Sequence, residues 1–200
     1  MLQVQNLSKH FGDNKAVNGV SFDIKEGEIF SLIGPNSSGK TTIVKSIIGL
    51  LQPTSGSIRV GGHDVMKDPL LAKALLGYIP DEPSIWPFMT GEEFLYFTQA
   101  LFGVEEKTRA KNIPKLLDIF SLQGVEKQYF QDYSRGNKQK FSIISAASHN
   151  PKLLVIDEPI VGLDPTGAEI AKKMFVDFKE YIMAQNLSMV YFLAFPRGSL

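Results

Sequence analysis

The sequence predicts an α/β fold: a core on a mostly parallel sheet, an antiparallel β unit at the N-terminus and an inserted helical unit. Three observations predict it. A short apolar run, Ile29 to Ile33, passes through a glycine-bounded loop into a helical pattern, the order strand, loop, helix. Leu153-Leu154-Val155-Ile156 is apolar throughout and bounded by Pro151 and Asp157, the pattern of a parallel strand buried on both faces. From Asp81 to about Gln139 the character turns mostly helical, while strands and helices alternate outside that stretch.

Taken in order, Leu2 to Leu7 and Val17 to Ile24 show rough alternation around the turn-rich Gly12-Asp13-Asn14, which predicts an antiparallel pair. The Ile29 to Ile33 strand follows Glu26-Gly27-Glu28, and the helix after it runs from Thr41 to Leu50, closed by Pro53. Ser57 to Val60 with Gly61-Gly62 reads as a short strand and turn, and Leu71 to Leu76 then Gly77 to Ile79 as helix and strand. Gly91 to Phe102 and Lys107 to Phe120 are helical, with Pro114 required in a first turn or at a kink. A further helix is predicted over 137–148, and a strand over Met189 to Leu193. One domain of 200 residues results, its core at 1–80 and 141–200 and its helical part at 81–140.

A hydrophobic content of 44% supplies one substantial core. Lys plus Arg and Asp plus Glu both number 21, so no global field draws the chain to nucleic acid or an anionic bilayer, and anion binding must be local. With no cysteine, disulfides, thiolate metal sites and thiol nucleophiles are excluded. The opening MLQVQNLSKH lacks the apolar stretch of a secretory signal. Apolar runs such as Met189 to Phe195 are far shorter than the roughly 20 residues a membrane helix needs. Membrane contact therefore requires a partner.

Gly34-Pro35-Asn36-Ser37-Ser38-Gly39-Lys40-Thr41 fits GxxxxGK[ST] between a predicted strand and a predicted helix, the context of a phosphate-binding loop. Its glycines let successive amides converge on phosphate oxygens at the positive end of the helix. Asn36, Ser37, Ser38, Gly39 and Thr42 form the cradle, Lys40 reaches the β/γ-phosphates, and the Thr41 hydroxyl ligates Mg²⁺. Asp157 ends the buried strand, at the edge where open parallel sheets place their ligands, so its carboxylate binds Mg²⁺ directly or through water. Glu158 follows immediately; a carboxylate there orients and deprotonates a water in line with the γ-phosphate. ATP and Mg²⁺ are the expected ligands. A GTPase switch is disfavoured: Asp164-Pro165-Thr166-Gly167 mimics DxxG, but no NKxD follows it.

The order GPNSSGKTT, YSRGNKQK, LLVIDEP and GLD resembles the nucleotide-binding subunit of ABC transporters from residue 1 to about 190. Ser134-Arg135-Gly136-Asn137 matches the family's LSGGQ signature, with Tyr133, Arg135 and Asn137 replacing Leu, Gly and Gln. By resemblance, Ser134 and Gly136 cap the γ-phosphate of ATP held by a second subunit; the alternative is that Ser134 is only a helix N-cap. Arg135 adds charge there or obstructs. Phe11 occupies the slot of the aromatic that stacks on adenine, although alone it reads as a packing residue beside a turn. Asp81, in GYIPDEP, stands where the family has the Q-loop glutamine and keeps an oxygen for Mg²⁺ with a shorter reach. Gly162-Leu163-Asp164 matches the D-loop, which contacts the opposite subunit.

The resemblance implies an ATPase that turns ATP and water into ADP and phosphate in a head-to-tail homodimer or heterodimer. It drives export, as in bacterial exporters, through a separate integral-membrane permease, and sits in the cytoplasm on the inner face of the cell membrane. No nucleic-acid partner is implied. Ile85-Trp86-Pro87-Phe88-Met89 holds the single tryptophan and is expected at the permease docking surface; core packing is the alternative. The family's histidine after the strand that reads Met189 to Leu193 here is replaced near its slot by Phe195, and His10, His63 and His149 lie elsewhere. The chain also stops before the usual final strand and helices, so an incomplete C-terminus and slow hydrolysis are expected. The alternative function is an ABC-type ATP-binding regulatory module with little or no hydrolysis.

Overall fold

The computed structural model describes residues 1–83, 85–157 and 188–195, and in the last stretch the side chains of Ser188 and Val190. In chain order the elements are β1 (Leu2–Phe11), β2 (Asn14–Ile24), β3 (Ile29–Pro35), α1 (Lys40–Ile47), β4 (Ser55–Val60), β5 (His63–Asp64), α2 (Pro69–Ala74), β6 (Leu76–Ile79), α3 (Gly91–Leu101), α4 (Glu106–Ile119), α5 (Arg135–Ala147), β7 (Leu153–Asp157) and β8 (Ser188–Phe195). Among the described residues no helix is long and apolar enough to cross a membrane.

Two sheets form. The N-terminal one is antiparallel in the order β2-β1-β4-β5, and the second runs β3-β8-β7-β6 with every pairing parallel. The register Ile79↔Ile156, Asp157↔Phe192 and Pro35↔Phe195 brings the carboxyl ends of these strands to one edge.

β7 shows why its sequence is apolar at consecutive positions. Leu153 and Val155 enter one core with Leu2, Val4, Val44, Ile47 and Ile58. Leu154 and Ile156 enter the other with Leu95, Phe141, Ile143 and Ile144. A strand sends alternate side chains to opposite faces, so β7 is the wall between the two cores. Truncating Leu153, Leu154 or Ile156 to Ala costs about 2–5 kcal/mol.

Local chemistry sets the helix ends. α1 stops at Ile47, well before Pro53, because Gly49 takes φ 71° and the amides of Gly49 and Leu50 fold back on the carbonyls of Ser46 and Lys45 at 3.2 and 2.8 Å. That is the glycine stop of a Schellman motif. α3 starts with a capping box between Thr90 and Glu93. α5 starts two residues earlier than the sequence pattern suggests, since the Ser134 hydroxyl accepts the Asn137 amide at 3.2 Å. Pro114 lies inside α4 and not in its first turn; it removes the hydrogen bond to the preceding turn, and Ile113, Leu116 and Leu117 hold the helix to the core.

Candidate functional site

Between β3 and α1 the chain reverses through Asn36-Ser37-Ser38-Gly39, with Ser37 at φ 68° and Gly39 at φ 91°. A Cβ on Gly39 would strike the carbonyl oxygen of Ala16, so the loop leans on β2 at a point only glycine permits. Among the described residues no backbone carbonyl accepts the amides of Ser37, Gly39, Thr41 or Thr42, and these face the positive end of α1. The Lys40 side chain is 4% exposed, and its ammonium donates to the carbonyls of Gly34 and Pro35, both at 2.9 Å. Asn14, Lys15 and Ala16 join residues 36–42 around a polar cleft of about 570 Å³. Among the described residues, amides, hydroxyls and ammonium groups line this cleft without a carboxylate, a donor set that fits a polyphosphate.

Asp157 is 6% exposed at the carboxyl end of β7. Tyr78, on the neighbouring β6, has its hydroxyl pushed up to about 12 by burial first and then by the charges of Asp157 and Asp81. Asp81 Oδ1 lies 3.6 Å from the guanidinium of Arg135. No cluster of three or more His, Asp or Glu that could hold an ion occurs among the described residues. The hard oxygens of Thr41 and Asp157 thus suit an ion that is satisfied by few protein ligands and takes the rest from phosphate and water, which describes Mg²⁺.

The signature-like loop is anchored from two sides. Ser134 caps α5. Tyr133, before it, donates its hydroxyl to the Val125 carbonyl at 2.7 Å and accepts the Gly91 amide at 3.2 Å. A seam of backbone bonds runs alongside: Phe130 and Gln131 donate to Met89 and Pro87 at 2.9 and 3.0 Å, and Glu92 donates to Glu126 at 2.9 Å. The Ile85–Met89 stretch is divided between core and solvent. Ile85 and Met89 pack on the core, while Trp86 and Phe88 are 59% and 77% exposed. Trp86 meets the edge of Phe97, 5.6 Å away.

Phe11 ends β1 half-exposed, with the Lys9 ammonium 5.1 Å from its ring, and pairs with Asn14, the first residue of the cleft. Phe195 pairs its backbone with Pro35, so its position borders the phosphate loop. Glu158 and Gly162-Leu163-Asp164 lie outside the described residues. Sequence patterns missed Asn14, Lys15, Ala16 and Tyr78; the one local signal was the closeness of the first three to Phe11.

Comparison with known proteins agrees with this geometry. Residues 17–161 match the ABC transporter family model. The uncharacterized ABC transporter ATP-binding protein YhaQ of Bacillus subtilis is 37% identical over 179 residues, covering 90% of this chain and 59% of that protein. The lantibiotic transport ATP-binding protein SrtF of Streptococcus pyogenes is 35% identical over 188 residues, covering 94% of this chain and 79% of that protein. A solved ATP-binding subunit of an ABC transporter superposes with a TM-score of 0.85 at 31% identity, over 96% of this chain and 79% of the other. The chain thus spans less than two thirds of YhaQ. The family match takes in the phosphate loop, the signature-like loop and the end of β7 alike, and the chain belongs to the ABC transporter family, among its ATP-binding domains.

Proposed function

We infer that this chain binds MgATP and hydrolyses ATP in a head-to-tail dimer of two such domains, driving export through a separate permease at the inner face of the cell membrane. The observation that carries the reading is the buried Lys40 ammonium, clasped to the loop from which α1 grows, at the same sheet edge as Asp157. Lys40 trades the carbonyls of Gly34 and Pro35 for β/γ-phosphate oxygens, and the loop amides hold the phosphate chain. Phe11 stacks on adenine. Thr41 and Asp157 hold Mg²⁺, while Asp81 is engaged with Arg135. When bound, Mg²⁺ draws off negative charge that develops on the phosphate oxygens. Glu158 orients the attacking water and takes its proton. Ser134 and Gly136 of one chain close on the γ-phosphate held by the other.

The transport role in SrtF's name supports a transporter. The exposed Trp86 and Phe88 support a docking surface for a short permease helix. In the test, Glu158→Gln keeps ATP affinity in calorimetry and lowers steady-state turnover by about 10²-fold or more; an unchanged rate removes Glu158 from the chemistry. Phe195 beside the phosphate loop favours a second reading, a nucleotide-binding regulatory module with little turnover. Wild-type turnover measured beside wild-type affinity separates the two.

A further inference from the structure

Asp81 and Arg135 both depart from the family pattern, and in this fold they meet: a guanidinium nitrogen lies 3.6 Å from Asp81 Oδ1, with both side chains half-exposed. Each is awkward alone. Arg135 is the first residue of α5, whose first turn carries no acid, and the positive end of a helix disfavours a cation. Asp81 lies just past β6, at the sheet edge that also carries the buried Asp157, where it adds a second negative charge. Pairing relieves both. It also ties the segment after β6 to the residue next to Ser134, and it puts a carboxylate beside the helix end where the dimer reading brings a γ-phosphate.

We propose that the Asp81–Arg135 ion pair is a latch opened by nucleotide: Arg135 is a positioning residue that leaves Asp81 for the γ-phosphate on the second chain, and Asp81 sets how much ATP this takes. The inference rests on the dimer reading above and adds a residue to it. A partly exposed ion pair holds back its cation by about two- to fivefold. A charge-assisted arginine–phosphate contact is stronger, about tenfold or more. The two substitutions therefore act in opposite directions.

The experiment uses the full chain in a Glu158→Gln background and follows MgATP-dependent dimerisation by sedimentation velocity. Asp81→Asn should lower the ATP concentration at half-dimerisation about two- to fivefold. Arg135→Gln should raise it about tenfold, Arg135→Lys should recover part of that loss, and the double variant should behave as Arg135→Gln alone. Melting curves without nucleotide verify that each variant is folded. Single substitutions that shift dimerisation in the same direction, or that leave it unmoved, overturn the latch while the dimer stands. A parent that binds ATP and stays monomeric at saturation overturns the dimer reading and the latch together.

Discussion

Replacing Tyr133 by Phe deletes one oxygen that serves two backbone groups. The hydroxyl satisfies the Val125 carbonyl at 2.7 Å and the Gly91 amide at 3.2 Å, while the ring, stacked on Phe141 at 5.1 Å and tilted on Phe130 at 4.9 Å, is kept. Gly91 opens α3, so its amide is one of the donors a helix cannot satisfy internally. A Cβ there would strike the Phe141 ring, so the site is tightly closed. The Val125 carbonyl keeps the Gln128 amide at 3.0 Å, so the Gly91 amide is the group left buried and unsatisfied, which puts Tyr133→Phe at about 1–3 kcal/mol of destabilisation. Urea unfolding should show a lower midpoint at unchanged m-value. The tyrosine also carries a pH signature. Burial is the main cause that pushes its ionisation in the fold up from 10.0 to about 12. A folded pKa above the unfolded one means stability that is whole below pH 10 and is lost as pH rises toward 12. The wild type should lose this contribution in that window and the Phe variant should not. A destabilisation under about 0.5 kcal/mol with the same m-value would refute the view that Tyr133 anchors the signature-like loop.

Lys40→Ala should weaken MgATP binding about 10- to 100-fold, the range of charged hydrogen bonds; equal affinities by calorimetry would remove Lys40 from the phosphate site. His149 presents Nε2 to the Leu76 carbonyl at 2.9 Å and stacks on Phe102 at 3.6 Å, and burial holds its pKa below the ordinary 6.5. Its contribution is therefore present above pH 6.5 and lost as pH falls through the depressed value. Melting temperature should drop on acidification in the wild type and less in His149→Phe, and parallel curves would discard this assignment. Trp86→Ala removes a ring that is 59% exposed and should change stability by about 1 kcal/mol or less, while weakening co-purification with the permease. Normal permease capture would move the docking surface elsewhere.

The parts legible in the sequence were those set by local pattern. GPNSSGKT between an apolar run and a helical one located the phosphate loop, and four consecutive apolar residues located a strand buried on both sides. Local pattern failed where a glycine outranked it: Leu50 read as helix, but Gly49 at φ 71° had already ended α1. It failed also where contacts join distant segments. Nothing near Gly39 in sequence indicates that the Ala16 carbonyl forbids a side chain there. The two substitutions at Asp81 and Arg135, each a departure when read singly, become one feature when β6 and α5 pack side by side.

The seam between residues 86–92 and 126–133 makes the exposed aromatics and the signature-like serine two ends of one stiff piece. Pro87 and Met89, which separate and follow the outward Trp86 and Phe88, give their carbonyls to Gln131 and Phe130, and Tyr133 pins the same strip to Gly91. Ser134 follows with no intervening slack. Sliding one segment past the other would break several hydrogen bonds at once, whereas tilting them together breaks none. Force applied to the Trp86–Phe88 face therefore emerges at Ser134 as displacement of the first turn of α5.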